Sequence, residues 1–334
     1  MNSLKAVLAK NAGHVMNIIP SIFNERQINR TVIGGSENPS KILMPVTCLI
    51  LGKNGSQYRE RVLENVINFG FESIVCVERD SNGIQLETLS RKYPCVHFVC
   101  SQEKLTLGDM VNLGMAEAKS SYVLVVSDDL CMEHFNFTPA VAKKLIAQKN
   151  YCIVPRLTSS KLEILPVHFM PSASHSMFEV ASSLVSTEGN ATLYPFDMTG
   201  FYDRKKYISL GGADYTITSP YWQNLDLSMR AWLWGEKITI THLFQLCYAN
   251  DIPEENQTAD LSYLRFYLKN LLPVFVSDHA KIPFTSYFAF SVRSKCGITS
   301  SLRQFKDARR WVKQNQYRFR KDTANLIENW RDKR

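Results

Sequence analysis

Two adjacent acids, Asp128 and Asp129, close the apolar run 122–126 after a single serine, Ser127. Like charges at the end of a buried strand repel unless a cation lies between them, so the pair reads as a divalent-cation site. All-oxygen ligands suit Mg²⁺ or Mn²⁺ better than zinc, which makes Asp129 and Asp128 the metal candidates. The competing reading is a solvated turn that caps a helix. Two more loops follow apolar runs in the same way, Gly52-Lys53-Asn54-Gly55-Ser56 and Glu78-Arg79-Asp80-Ser81. The first matches neither G-x-x-x-x-G-K-[ST] nor G-x-G-x-x-G, so it is read as an ordinary turn and not as a P-loop or dinucleotide fingerprint.

These loops need a scaffold. The runs 46–51, 73–77, 96–100 and 122–126 are apolar without alternation, and the segments between them, 57–69, 84–93 and 105–118, have helical spacing. Strands buried on both faces and joined by helices imply an α/β fold with a Rossmann-like, mostly parallel sheet flanked by helices. Such sheets bind ligands at the carboxyl ends of their strands, where all three loops emerge. Residues 1–44 read as a peripheral extension that begins with a short helical pattern, and 251–334 as a helical, basic segment.

Composition agrees with a folded protein. The chain has 334 residues, 45% apolar and 21% charged, which supplies a core and excludes a disordered or low-complexity class. No apolar run approaches the roughly 20 residues of a bilayer span, and no secretory signal is visible. The eight cysteines form no C-x-x-C pair, so zinc-knuckle and redox-motif readings fail, and free thiols in a reducing, cytoplasmic setting are expected. On that reading the Asn-x-Ser/Thr triplets at Asn29, Asn54, Asn190 and Asn256 are chance matches.

The net charge of +8 is local. Residues 302–334 hold eleven Lys/Arg against four acids, a net of +7, which leaves +1 for the rest. Phe305, Val312, Phe319 and Leu326 recur every seven residues there, with Trp311, Ile327 and Trp330 beside them. An amphipathic basic helix of this kind either lies on an anionic membrane surface or packs on the body with its charges solvated. No nucleic-acid-binding motif accompanies it.

Several segments carry a family resemblance by their order. Ile74-Val75-Cys76-Val77-Glu78-Arg79-Asp80-Ser81 comes first, then Gly108 with Asn112, then the strand ending in Ser127-Asp128-Asp129. Thr199-Gly200-Phe201-Tyr202-Asp203-Arg204 and Leu210-Gly211-Gly212-Ala213-Asp214 follow. The last is Tyr221-Trp222-Gln223-Asn224-Leu225-Asp226-Leu227-Ser228-Met229-Arg230, closing at Gly235. Together they resemble the inverting glycosyltransferases of family two, which have the GT-A fold and use a nucleotide-sugar donor. The resemblance implies a GT-A domain over 45–250, with 45–130 as the nucleotide-sugar half and 131–250 as the acceptor half. It gives Glu78, Asp80, Gly108, Asn112, Asp128 and Asp129 to the donor and Gly200 and Trp222 to the acceptor. A UDP-sugar is the leading donor, and a glycan or lipid-linked molecule the acceptor.

The departures from the family pattern define the mechanistic question. The Glu-Asp pair that includes the family's general base is Gln223-Asn224 here, and an amide does not take a proton from a sugar hydroxyl at neutral pH. Asp214 or Asp226 replaces it, or an anionic acceptor needs no base, or the protein is a catalytically silent relative that binds nucleotide-sugar or glycan. Asp214 ranks above Asp226, because two residues along a helix turn Asp226 roughly 200° away from the position of the family's base, and Arg230, one helical turn from Asp226, can pair with it. Trp222 divides evenly between a sugar-stacking and a core role.

Overall fold

The structure, a computed structural model, describes residues 26–39, 41–53, 59–79, 83–131, 135–174, 177–249, 252–294 and 297–330. Asp80, the glycine-containing turn 54–56 and the helical pattern near the N-terminus lie outside the described residues. In chain order the first half runs β1 (Arg30–Gly34), β2 (Met44–Gly52), α1 (Arg59–Asn68), β3 (Phe71–Glu78), α2 (Gly83–Lys92), β4 (Val96–Ser101), α3 (Leu107–Glu117) and β5 (Tyr122–Ser127). After these come β6 (Leu130–Cys131), α4 (Pro139–Gln148), β7 (Cys152–Thr158), β8 (His168–Ser174), β9 (Met177–Ser183), β10 (Gly200–Asp203), α5 (Arg204–Ser209), α6 (Pro220–Leu233) and β11 (Ile238–Tyr248). The remainder is α7 (Leu261–Phe266), the small hairpin β12 (Val274–Val276) and β13 (His279–Lys281), then α8 (Ser286–Ser294), α9 (Ile298–Asn315) and α10 (Thr323–Glu328).

Among the described residues, nine strands form one sheet in the order β1-β4-β3-β2-β5-β10-β7-β11-β6. The apolar runs form its parallel half, β4-β3-β2-β5, and their inward residues are fully buried. This is the α/β architecture expected from strands without alternation. The strand β10 enters antiparallel between β5 and β7, and β1 adds antiparallel to the β4 edge. The residues 30–34, read as peripheral, thus extend the main sheet. Gly200 lies in β10, where a Cβ would meet the Cys152 sulfur at 2.8 Å. Its lack of a side chain serves the approach of two strands.

The C-terminal segment resolves the two readings of its heptad pattern. Phe305, Val312, Phe319 and Leu326 are all buried in the common core. Trp311 stacks against Trp234 at 6.1 Å, and Trp330 meets Trp232 edge-on at 4.8 Å. Arg303, Lys306, Arg310 and Lys313 remain exposed on the opposite side of α9. The apolar stripe made by the seven-residue repeat is therefore spent on the body, and the basic face of α9 is turned to solvent. No helix among the described residues is long and apolar enough to cross a membrane.

Candidate functional site

The acidic loop after β5 is built by its neighbours at the carboxyl edge of the sheet. The Asp128 backbone N–H donates to the Leu51 carbonyl at 3.0 Å, and one of its carboxylate oxygens accepts from the Lys53 N–H at 3.1 Å. Asp129 accepts at its backbone carbonyl from the Ala249 N–H, which brings the end of β11 to the same place. The Asp129 side chain is buried, and its Oδ1 has no hydrogen-bond partner. A buried acceptor without a donor costs about 1–3 kcal/mol, so this oxygen calls for a water, a cation or a ligand group.

A second acid, Asp197, stands beside it with its backbone in the left-handed region at φ 54°. Lys53 forms an ion pair with Asp197. Burial pushes the Asp197 carboxyl up; Lys53 pulls it down, and the charge of Asp129 pushes it up again. The Tyr248 hydroxyl, at the end of β11, is raised by burial and then by Asp197 and Asp129. Glu78 ends β3 buried opposite Gly52, where a Cβ would meet its carboxylate oxygen at 2.7 Å. Asp128, Asp129 and Glu78 therefore share the carboxyl edge of the parallel half.

Asp129 suits a metal of one kind. No group of three or more His, Cys, Asp or Glu converges among the described residues, so a closed structural zinc site is not built here. A hard cation held by one or two carboxylates and completed by substrate phosphates needs no more than Asp129, with Asp128 beside it.

Next to the acids lies a cavity of about 130 Å³, lined among others by Leu107, Phe196, Asp197, Tyr221, Asn224 and Glu255. Glu255 comes from the loop after β11 and was not singled out by sequence. The Tyr194 hydroxyl donates to its Oε2 at 2.7 Å. Burial raises the Glu255 carboxyl to about 7; the Tyr194 bond lowers it and the charge of Asp197 raises it. Tyr194 is itself fixed, stacked on Phe169 at 4.3 Å and edge-on to Tyr221 at 5.9 Å. Trp222 does not line the cavity. Its indole N–H donates to the Thr258 carbonyl at 2.8 Å, which pins the loop carrying Glu255, and its ring packs on Phe266 at 5.3 Å. Glu255 stands several residues past Tyr248, the end of β11, so it lacks the strand-end signal that marked Asp128.

The amides that break the family pattern are matched by their surroundings. Gln223 accepts from the Gly108 N–H at 2.8 Å and donates to the Thr106 hydroxyl at 3.1 Å and the Asp214 carbonyl at 3.0 Å. Asn224 donates to the Pro195 carbonyl at 2.7 Å. A carboxylate at either position would lose these donor bonds. Gly108 has no room for a side chain, since a Cβ would lie 2.4 Å from Gln223 and 2.5 Å from Ala213. Asn112 donates to the Ala213 carbonyl and accepts from the Ala213 N–H, both at 2.9 Å, and from Tyr207 at 2.7 Å. Gly108 and Asn112 thus use polar groups in clamping α3 to the loop before α6 and to α6 itself.

Asp214 and Asp226 also have other work. Lys269 reaches Asp214 at 2.7 Å and Asp226 at 3.1 Å; Arg230 pairs with Asp226, and Asn270 donates to it at 2.7 Å. The other Asp214 oxygen accepts from the Thr216 N–H and hydroxyl. Burial works against the Asp214 charge, but Lys269 and Thr216 together hold its carboxyl well below the usual carboxylate range. Arg230 further donates to the carbonyls of Leu210 and Gly212. Two acids and two bases are buried together and locked, and neither acid is among the residues lining the cavity.

No family model and no curated protein matches the sequence. Solved structures do. A crystal structure of GalNAc-T7 with UDP, GalNAc and Mn²⁺ superposes at TM-score 0.57 and 15% identity, covering 98% of this chain. The chain spans 65% of the length of that neighbour. S. aureus TarS 1–349 is a looser match, at TM-score 0.41 and 14% identity over 87% of this chain and 92% of that one. An identity this low speaks for architecture, and the architecture shared with GalNAc-T7 is the GT-A glycosyltransferase fold.

Proposed function

We propose that the protein is a glycosyltransferase that moves a sugar from a nucleoside-diphosphate donor to a hydroxyl of a glycan or lipid-linked acceptor, with inversion at the anomeric carbon. One observation carries the reading: a buried, unpartnered Asp129 oxygen stands at the carboxyl end of the central strands, beside a cavity that holds a second set of carboxyl groups. The GalNAc-T7 neighbour, with UDP, GalNAc and Mn²⁺, supports a UDP-sugar and a divalent cation in this role.

On this reading Asp129, with Asp128 beside it, holds Mg²⁺ or Mn²⁺, which when bound offsets the charge that grows on the departing diphosphate. Lys53, at the end of β2, adds a fixed ammonium next to that charge. Glu78 closes the donor side at the end of β3, where a nucleobase or ribose would be gripped. Burial of all these groups strengthens each electrostatic contact relative to water. Thermal-shift titration with UDP, GDP, CDP and dTDP, each with and without Mn²⁺, tests the reading, because a ligand that binds only the native state raises its melting temperature. Stabilisation by a nucleotide that needs both Mn²⁺ and Asp129 is expected; no shift with any of the four would contradict it.

A further inference from the structure

The proposed transfer needs a group to receive the acceptor proton, and Asn224, at the position where the family pattern has its base, cannot do so. Of the other acids near α6, Glu254 shares the cavity lining but is exposed, and the buried ones are committed. Asp214 and Asp226 are ion-paired to Lys269 and Arg230 behind the cavity, and Asp197 is ion-paired to Lys53. Glu255 differs from them on each count. It lines the same cavity as Asn224, it has no cationic partner among the described residues, and the Tyr194 hydroxyl fixes one of its oxygens while the other accepts from no described residue.

We propose that Glu255 is the general base, receiving the proton of the acceptor hydroxyl from the side of the cavity that Asn224 shares; the inference rests on the glycosyltransferase reading above. In the step, the acceptor O–H bond breaks and its proton passes to a Glu255 carboxylate oxygen. The acceptor oxygen forms the new bond to the anomeric carbon, and the bond from that carbon to the diphosphate oxygen breaks with its electron pair leaving on the nucleoside diphosphate. Glu255 then returns the proton to solvent. The arrangement shows how Gln223-Asn224 fit an active enzyme: the amides brace the helix and an acid from a different loop supplies the charge.

Burial favours the role energetically, since a base is most effective when it titrates near the working pH. The titratable groups facing Glu255 are Tyr194 from the segment before β10, Asp197, Tyr221 on α6 and Tyr248 at the end of β11, and Glu254 lines the same cavity. The tyrosines are all raised by burial and stay neutral across the neutral range, and Asp197 pushes in the same direction as burial. Nothing among them pulls Glu255 back to an exposed carboxylate's value except the single Tyr194 bond.

The test compares wild type with Glu255→Gln, which preserves size and the ability to accept from Tyr194. UDP-, GDP-, CDP- and dTDP-hexoses serve as donors with Mn²⁺, and octyl hexosides and water serve as acceptors, with release of nucleoside diphosphate as the readout. Nucleoside-diphosphate affinity is measured on both proteins. Glu255→Gln should bind nucleotide as wild type does and lose about 10²–10⁴-fold in turnover. The wild-type rate should rise with pH through a limb near 7, and the variant should lack that limb. Turnover by Glu255→Gln at the wild-type rate, or nucleotide binding by wild type without any turnover, would remove Glu255 as the base and leave the donor site standing. Failure of wild type to bind any nucleotide would remove the glycosyltransferase reading itself.

Discussion

Lys269 reaches Asp214 across 55 residues of chain, at 2.7 Å, and joins it to Asp226 on α6. The bridge turns two acids that the sequence offers as catalytic into parts of the frame. Removing one partner of a buried pair is far costlier than the pair's net worth, because the charge left behind stays desolvated. Lys269→Met should therefore destabilise the protein by about 3–5 kcal/mol in urea unfolding. A variant as stable as wild type would show that the network is dispensable.

The same network sets a pH dependence at the acid end. Lys269 and Thr216 hold the folded Asp214 carboxyl below its unfolded value, so the native state binds fewer protons than the unfolded chain there. The stability it contributes is present above the ordinary carboxylate pKa of about 4 and is lost as pH falls through the depressed folded value. Melts of wild type and Asp214→Asn should differ most at pH 7 and converge toward strong acid.

Glu255 has the opposite sign. Its carboxyl is raised from 4.5 to about 7, so the native state holds a proton that the unfolded chain releases between those values. Wild type should lose stability relative to Glu255→Gln as pH rises through that window, and the two curves should run parallel outside it. Thermal melts at half-unit pH steps check this without any substrate.

Restoring the family pattern should not restore a base. Asn224→Asp removes the donor to the Pro195 carbonyl and sets a carboxylate against that oxygen. It should cost about 1–3 kcal/mol and leave turnover no higher than wild type. A large gain in activity would argue that Asn224 had silenced the enzyme.

Gly108→Ala tests the clamp between α3 and α6. Its Cβ would fall 2.4 Å from the Gln223 side chain and 2.5 Å from the Ala213 Cβ, so one of the three must move. Overpacking of this kind costs about 1–3 kcal/mol, read as a drop in melting temperature.

Deleting 302–334 should unfold the protein and not merely detach it from a surface. Phe305, Val312, Phe319 and Leu326 are fully buried, and each is worth about 1.5–3 kcal/mol of burial against a total stability of about 5–15 kcal/mol. A soluble truncated chain that melts cooperatively at the wild-type temperature would contradict the packing described here.

Much of the frame was legible in the sequence because burial on both faces leaves a local trace. The run 46–51 has no alternation, and it becomes the middle of the parallel half. The strand β10 left no such trace: Gly200 to Asp203 is only four residues long, and its place between β5 and β7 depends on partners distant in the chain. The acids at 128 and 129 were legible as buried neighbours at the end of a strand for the same local reason. The fates of Asp214, Asp226 and Glu255 were not, because each is decided by a partner far along the chain: Lys269 for the first two, Tyr194 for the third. The seven-residue spacing of the tail fixed which residues share a face but not what covers that face.

On the proposed function, Asp129 holds a divalent cation whose coordination the nucleotide completes. Electron paramagnetic resonance of Mn²⁺ reads this directly, since protein-bound Mn²⁺ loses the sharp signal of the free ion. With one or two carboxylates as the protein's share of the ligands, Mn²⁺ alone should bind weakly, and a nucleoside diphosphate should tighten it while Mn²⁺ tightens the nucleotide by the same factor. Asp129→Ala should abolish both effects. Free Mn²⁺ in the presence of every nucleotide, or unchanged binding in Asp129→Ala, would contradict the account.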